Sequence, residues 1–254
     1  MIGAARIARA ALALSLVACI AGGIASTAAS AASAPRDSVA APVEPEPALT
    51  DGRTFAHWSH PVATGAIRRS PSATAPLVAR LHLLTEGGAP EVYPLLQAAL
   101  DATDRRWLQV GIPGRPNGRT GWVREDGLGP AYRVTTRLVV DRARLQATLT
   151  KGGRPIWSAR IGIGAVGSPT PAGRFWIREK LRVMPGSSYG PRAFGTSNYS
   201  TLTDWPGGGV IGIHGTDQPE LIPGRPSHGC IRLRNDAVTR LYELMPVGTP
   251  LQIT

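Results

Sequence analysis

Thirty glycines and 23 prolines punctuate the 254 residues, and no other feature narrows the accessible folds as much. Proline fixes φ and removes a backbone donor, and glycine costs a helix interior about 1 kcal/mol relative to alanine. The chain is therefore expected to be mainly β, built from short strands and turns, and not from long helices or a coiled coil. With 43% hydrophobic and 18% charged residues it holds enough apolar material for one or two ordinary domains, and it is neither collagen-like nor disordered throughout. Its two cysteines, Cys19 and Cys230, cannot build a disulfide framework or a multi-cysteine zinc site.

Residues 1–34 read as an export signal. Arg6 and Arg9 precede a nearly unbroken apolar run from Ala10 to Ile24, small residues continue to Ala34, and no acid occurs before Asp37. Ala29-Ser30-Ala31 offers a small-x-small cleavage site. Two alternatives stand beside cleavage. The same run is long enough to anchor the chain in a bilayer, and Leu16-Val17-Ala18-Cys19 has the form of a bacterial lipobox with Cys19 as the lipidated residue. The protein is expected to be exported to the cell wall or periplasm. After simple cleavage Cys230 would be a lone thiol in an oxidising compartment, which points to an intermolecular disulfide or a reactive group.

Residues 35–58 carry Pro42, Glu44, Pro45, Glu46 and Pro47 with little apolar content and read as a disordered tether. Charge is divided unevenly beyond it. Residues 35–130 hold ten arginines and ten acids, whereas 131–254 hold 16 lysines and arginines against seven acids. An anionic partner at the cell-envelope surface fits this second half. Export and an aromatic content of 6% argue against nucleic acid.

Residues 59–129 read as a small β module. Ala66–Ser72 runs from a strand into a turn, and Trp107–Ile112 alternates with Leu108, Val110 and Ile112 on one face. Asn117-Gly118 is a hairpin-turn signal before Thr120-Gly121-Trp122-Val123. Glu91–Ala102 fits a strand or a short helix equally well. Short strands ending in Gly-Trp-Val resemble bacterial SH3-like domains over about 65 residues. A spacer role and glycan or peptide binding are both open for it.

Residues 130–254 form the second unit. Leu145, Ala147 and Leu149 alternate with polar residues, and Lys151-Gly152-Gly153-Arg154 turns the chain into a second strand through Ile161. A turn at Ser168–Gly173 leads to a strand at Arg174–Arg178. Residues 179–209, with Tyr189, Phe194, Tyr199 and Trp205, lack periodicity and are expected to be a long loop acting as a lid. Val210–Ile213 reads as a buried strand ending at His214, and Ile231–Arg234 as another beginning after Cys230. Asn235 is expected to cap a short helix bearing Val238, Leu241, Tyr242 and Met245, and Leu251–Ile253 to close the fold as a strand.

The chemistry-bearing residues are concentrated between His214 and Arg234. Two imidazoles, His214 and His228, and the thiol of Cys230 each sit where a strand begins or ends. A thiol becomes a strong nucleophile when an imidazole takes its proton or cations lower its pKa. Gly229 lets a carbonyl approach backbone N–H groups that can stabilise an oxyanion. Arg232, two residues beyond Cys230, suits a substrate carboxylate. A zinc site is the competing assignment, but four ligands are needed and only acids such as Asp217 or Asp236 are near in sequence. No metal and no cofactor is expected. His57, His60 and His82 are expected to be incidental surface residues.

His214-Gly215-Thr216, followed by Ser227-His228-Gly229-Cys230-Ile231-Arg232-Leu233-Arg234-Asn235, resembles the active-site signature of the L,D-transpeptidase (YkuD-like) catalytic domain, and Thr170-Pro171-Ala172-Gly173-Arg174-Phe175 resembles its upstream pattern. The resemblance covers about residues 131–254. It implies a β-rich catalytic fold and cysteine acyl transfer on peptidoglycan stem peptides, forming 3→3 cross-links with loss of D-alanine. It also implies catalytic roles for Cys230, His214 and His228, and a pocket completed by Ser227, Gly229, Arg232 and Gly215. Acylation by a β-lactam of the carbapenem class is expected. An L,D-carboxypeptidase using water, and a non-catalytic cell-wall-binding protein, are the alternatives.

Overall fold

The computed structural model describes residues 48–203 and 206–254. The expected signal 1–34 with Cys19, residues 35–47 of the expected tether, and Trp205 lie outside the described residues. Among the described residues the chain is mainly β, with a single α-helix.

The first sheet comprises β1 (Ala56–Ser59), β2 (Ala66–Arg68), β3 (Leu77–Arg80), β4 (Tyr93–Leu100), β5 (Arg106–Gly111), β6 (Thr120–Arg124) and β7 (Tyr132–Val134). Their order is β3-β2-β6-β5-β4-β1-β7. Ile67, Leu95, Leu108, Val110 and Val123 form its core, as the alternation of Leu108, Val110 and Ile112 requires. Glu91–Ala102, undecided from sequence, contains the strand β4. The first strand opens at Ala56, inside the stretch expected to be tether. The Asp51 carboxylate accepts the N–H groups of Arg53, Thr54 and Phe55 at 2.8, 2.7 and 3.0 Å. The His57 N–H then bonds the Leu49 carbonyl at 2.9 Å. His57 and His60 are half-buried, each with Nδ1 on a backbone carbonyl, of Leu49 and Glu91 respectively, and so are not incidental.

The second sheet holds β8 (Thr136–Asp141), β9 (Gln146–Lys151), β10 (Arg154–Arg160), β11 (Gly162–Gly164), β12 (Gly173–Arg182), β13 (Arg192–Tyr199), β14 (Val210–His214), β15 (Gly224–Ser227), β16 (Ile231–Arg232) and β17 (Pro250–Ile253). Its order is β10-β9-β8-β17-β12-β13-β14-β16-β11-β15. The β9–β10 hairpin turns on Gly152 and Gly153 at φ of +55° and +80°, the positive values that a two-residue primed turn requires. The helix α1 (Asn235–Leu244) places Val238 and Leu241 into the core with Ile177, Phe194, Ile213 and Ile231.

The expected lid at 179–209 is corrected. Residues 179–182 end β12 and 192–199 are β13, paired antiparallel through Lys180 opposite Phe194 and Leu181 opposite Ala193. Both faces of β13 are buried, so its sequence shows no period of two. Among the described residues of this stretch, only 183–191, 200–203 and 206–209 lie outside the two strands.

The two sheets share a buried ionic seam. Arg178, on β12, is 3% exposed and donates through Nε to Glu91 Oε1 at 2.8 Å and through Nη1 to Glu86 Oε2 at 2.8 Å. Its Nη1 also donates to the Tyr199 hydroxyl at 3.0 Å. Trp176 Nε1 donates to the Val92 carbonyl at 2.7 Å, and Trp58, Val92, Val134 and Trp176 form a small core spanning both sheets.

Candidate active site

Parallel pairing of β14 with β16 places His214 opposite Arg232 and Ile213 opposite Ile231. Ile211, Ile213, Ile231 and Leu233 are buried, so strand alternation turns Gly212, His214 and Arg232 to the other side. A Cβ on Gly212 would lie 3.8 Å from His214 Cδ2 and 3.9 Å from Cys230 Sγ. Imidazole and thiol therefore flank one bare backbone position, and the Gly212 N–H donates to Cys230 Sγ at 3.4 Å.

His214 Nδ1 donates to the Gly215 carbonyl at 2.6 Å, since a carbonyl only accepts. That bond leaves Nε2 with its lone pair. Burial pushes the His214 pKa down to about 4; the Gly215 bond opposes this and Arg232 adds to it. Burial pushes the Cys230 thiol up, against the Gly212 N–H and Arg232, which favour the thiolate. At neutral pH the resting pair is a neutral thiol beside a neutral base.

The turn before Cys230 is held from several sides. Ser227 Oγ donates to the Cys230 carbonyl at 2.6 Å and accepts the Gly229 N–H at 3.2 Å. Gly229 sits at φ +124°, and a Cβ there would meet Ile211 Cδ1 at 2.6 Å. Ser227 thus takes up the Gly229 N–H, one of the backbone donors that the sequence suggested for an oxyanion. His228 is exposed on the same turn. Arg232 donates through Nη1 to Gln218 Oε1 at 3.3 Å, while its buried Nε has no hydrogen-bond partner. Among the described residues no three His, Cys, Asp or Glu side chains are grouped to hold a metal ion.

Several residues that sequence reasoning assigned otherwise, or not at all, surround this group. Asn235 does not cap α1: the N-cap position is taken by Arg234, and Asn235 is the first residue of the helix. Its Oδ1 accepts the Thr216 N–H at 2.9 Å, fastening the His214-Gly215-Thr216 segment. A Cβ on Gly215 or on Gly190 would come within 2.3 Å of that same oxygen, so both glycines are required for the clamp. Tyr189, from the 183–191 connection, sets its ring 4.5 Å from the His214 ring. Thr170, in the Thr-Pro-Ala-Gly turn, donates Oγ1 to the Gly229 carbonyl at 2.6 Å. Thr170 stood in the recognisable upstream pattern, but its partner lies 59 residues away and only folding reveals it. A cavity of about 730 Å³, lined from both sheets by Arg53, Arg119, Arg137, Arg174 and Trp176, includes none of His214, Cys230 or Arg232.

Residues 135–253 match the family model described as YkuD, L,D-transpeptidase catalytic domain. The chain is 29% identical over 160 residues to the putative L,D-transpeptidase YkuD of Bacillus subtilis, covering 63% of this chain and 80% of that protein. It is 31% identical over 105 residues to the putative L,D-transpeptidase YqjB of the same organism, covering 37% of this chain and 57% of that protein. With the probable L,D-transpeptidase YbiS of Escherichia coli the identity is 32% over 120 residues, covering 40% and 39% of the two chains. The match thus spans less than two thirds of the last two relatives. Among solved structures, the catalytic domain of the Enterococcus faecium L,D-transpeptidase is 26% identical, covers 47% of this chain and 96% of that one, and superposes with a TM-score of 0.35.

Proposed function

We propose, on the premise that residues 135–253 belong to the YkuD family of L,D-transpeptidase catalytic domains, that this chain is a peptidoglycan L,D-transpeptidase forming 3→3 cross-links by acyl transfer through Cys230. The observation that carries the reading is the pairing of a buried, neutral His214, its Nδ1 fixed by Gly215, with the Cys230 thiol across Gly212. This is the arrangement of a nucleophile, a base and a group that orients the base.

In the proposed reaction His214 Nε2 takes the thiol proton as Sγ attacks the carbonyl carbon of the third stem residue. The C–N bond to the terminal D-alanine breaks, the departing amine receives that proton, and a thioester remains. The side-chain amine of a second stem then attacks the thioester, giving its proton to His214. The C–S bond breaks and the thiolate is reprotonated. Arg232, whose charge acts on both His214 and Cys230, fits the donor's carboxylate. His228 is assigned to substrate positioning. Export through residues 1–34 belongs to the same reading.

The test is intact-protein mass spectrometry after incubation with a carbapenem, beside Cys230→Ser, followed by assay with tetrapeptide donors. A covalent adduct on the wild type alone, with dimer formed from donor and acceptor stems, is the expected result. Tripeptide without dimer would replace the transferase with a carboxypeptidase. Absence of any adduct on folded protein would overturn the enzymatic reading in favour of wall binding.

A further inference from the structure

The Gly229–Cys230 peptide is planar and trans, so its carbonyl and its N–H point in opposite directions. Whatever holds the carbonyl therefore aims the Cys230 N–H. The holder is Thr170, 1% exposed, whose Oγ1 donates to the Gly229 oxygen at 2.6 Å while accepting the Gly164 N–H at 3.0 Å. Gly164 has to be glycine for this approach, because a Cβ there would lie 2.3 Å from the Ser168 carbonyl oxygen. Thr170 is itself anchored on both sides. Arg142 Nη1 donates to its carbonyl at 2.9 Å, and the fully buried Asn198 donates Nδ2 to the next carbonyl, of Pro171, at 3.2 Å.

The chain of bonds continues out of the second sheet. Asn198 Oδ1 accepts from Asn117 Nδ2 at 3.1 Å. Asn117 also brackets Tyr199, donating to its carbonyl at 2.9 Å and accepting its N–H at 3.0 Å. The connection between β5 and β6 that carries Asn117 thus does more than turn a hairpin. Its neighbour Arg115 donates to the carbonyls of Ser200, Gly208 and Leu202 at 2.8, 3.0 and 2.8 Å.

We propose that Thr170 is a positioning residue that aims the Cys230 N–H at the developing oxyanion, and that Asn198 and Asn117 extend this placement to the first sheet. The proposal rests on the reading of Cys230 as an acyl-accepting nucleophile. It separates two kinds of reaction at one sulfur. Alkylation by iodoacetamide forms an S–C bond, expels iodide and releases the thiol proton, and no oxyanion develops. Acylation by a carbapenem forms the S–C bond, places negative charge on the lactam oxygen, then breaks the C–N bond as the ring nitrogen takes the proton.

The test measures both rates at Cys230 in the full chain. Thr170→Val is expected to slow acylation by about 30- to 100-fold, toward the loss of an oxyanion donor, while alkylation stays within about twofold. Thr170→Ser, which keeps the hydroxyl, is expected to restore acylation. Asn117→Ala, on the other sheet, is expected to slow acylation by about threefold or more without changing alkylation, and it carries the test should Thr170→Val fail to fold. Equal losses in both reactions, or unchanged acylation in these variants, would overturn the proposal. A wild-type protein that alkylates at Cys230 but never acylates would instead overturn the nucleophile reading on which it stands.

Discussion

At the scale of single residues, His214 and Arg232 make separable predictions. The folded His214 pKa is about 4 against an ordinary 6.5, so the imidazole stays an unprotonated base well into acid. Carbapenem acylation is therefore expected to be as fast at about pH 5.5 as at neutrality, within about twofold. An ordinary histidine base would lose about tenfold there, and such a loss would overturn the assignment. The same depression makes the contribution of His214 to stability full above about 6.5 and progressively lost as pH falls toward 4. For Arg232→Ala, the KM for a carboxylate-bearing stem peptide is expected to rise by about tenfold or more. Iodoacetamide alkylation of Cys230 should persist, and its loss on folded protein would mean that Arg232 serves the thiol and not the substrate. The candidate residues themselves were legible, because a thiol, two imidazoles and an arginine stand close together in sequence. Asn235, Tyr189 and Thr170 were not, since their roles lie in partners distant along the chain.

The turn between β15 and β16 and the strands flanking it set the next scale. Gly229→Ala would place a methyl at φ +124° and against Ile211 Cδ1. It is expected to cost about 1–3 kcal/mol in a denaturant titration and to cut carbapenem acylation more than iodoacetamide alkylation. A fully stable, fully active variant would show that the turn tolerates displacement. The strand β9, whose buried and less buried positions alternate, was readable from its sequence, and the β9–β10 turn from Lys-Gly-Gly-Arg. The β12–β13 pair was not. Gly195, Thr196, Ser197 and Asn198 are all buried on β13, so their polar and small side chains carry neither alternation nor an apolar run.

For the whole molecule, the seam at Arg178 decides how the two sheets behave. The bond to Glu91 is wholly buried; burial opposes the charge on the guanidinium, but the hydrogen bond and charge of Glu91, with Glu86 beside it, override that and raise its pKa. Arg178→Met leaves Glu91 buried and unpaired, at an expected cost of about 3–5 kcal/mol in urea denaturation. Adding Glu91→Gln should recover part of it. Calorimetry of the full chain is expected to give one transition for both sheets, and two resolved transitions would show the seam to be weak. The split into an N-terminal module and a C-terminal catalytic unit was drawn from charge and motif. It gave no sign of Glu91, Glu86 or Asn117 as partners of the second sheet. What the sequence determined by itself is local: a mainly β chain, because glycine and proline exclude long helices, and a cluster of one thiol and two imidazoles at strand ends. Only the tertiary structure decided that His214 and Cys230 flank Gly212, that Thr170 holds the Gly229 carbonyl, and that Asn117 of the β5–β6 connection bonds Asn198 of the second sheet. Those are matters of burial and of contacts between segments apart in the chain, by 59 residues for Thr170 and Gly229 and by 81 for Asn117 and Asn198, and such pairing leaves no periodicity in the sequence.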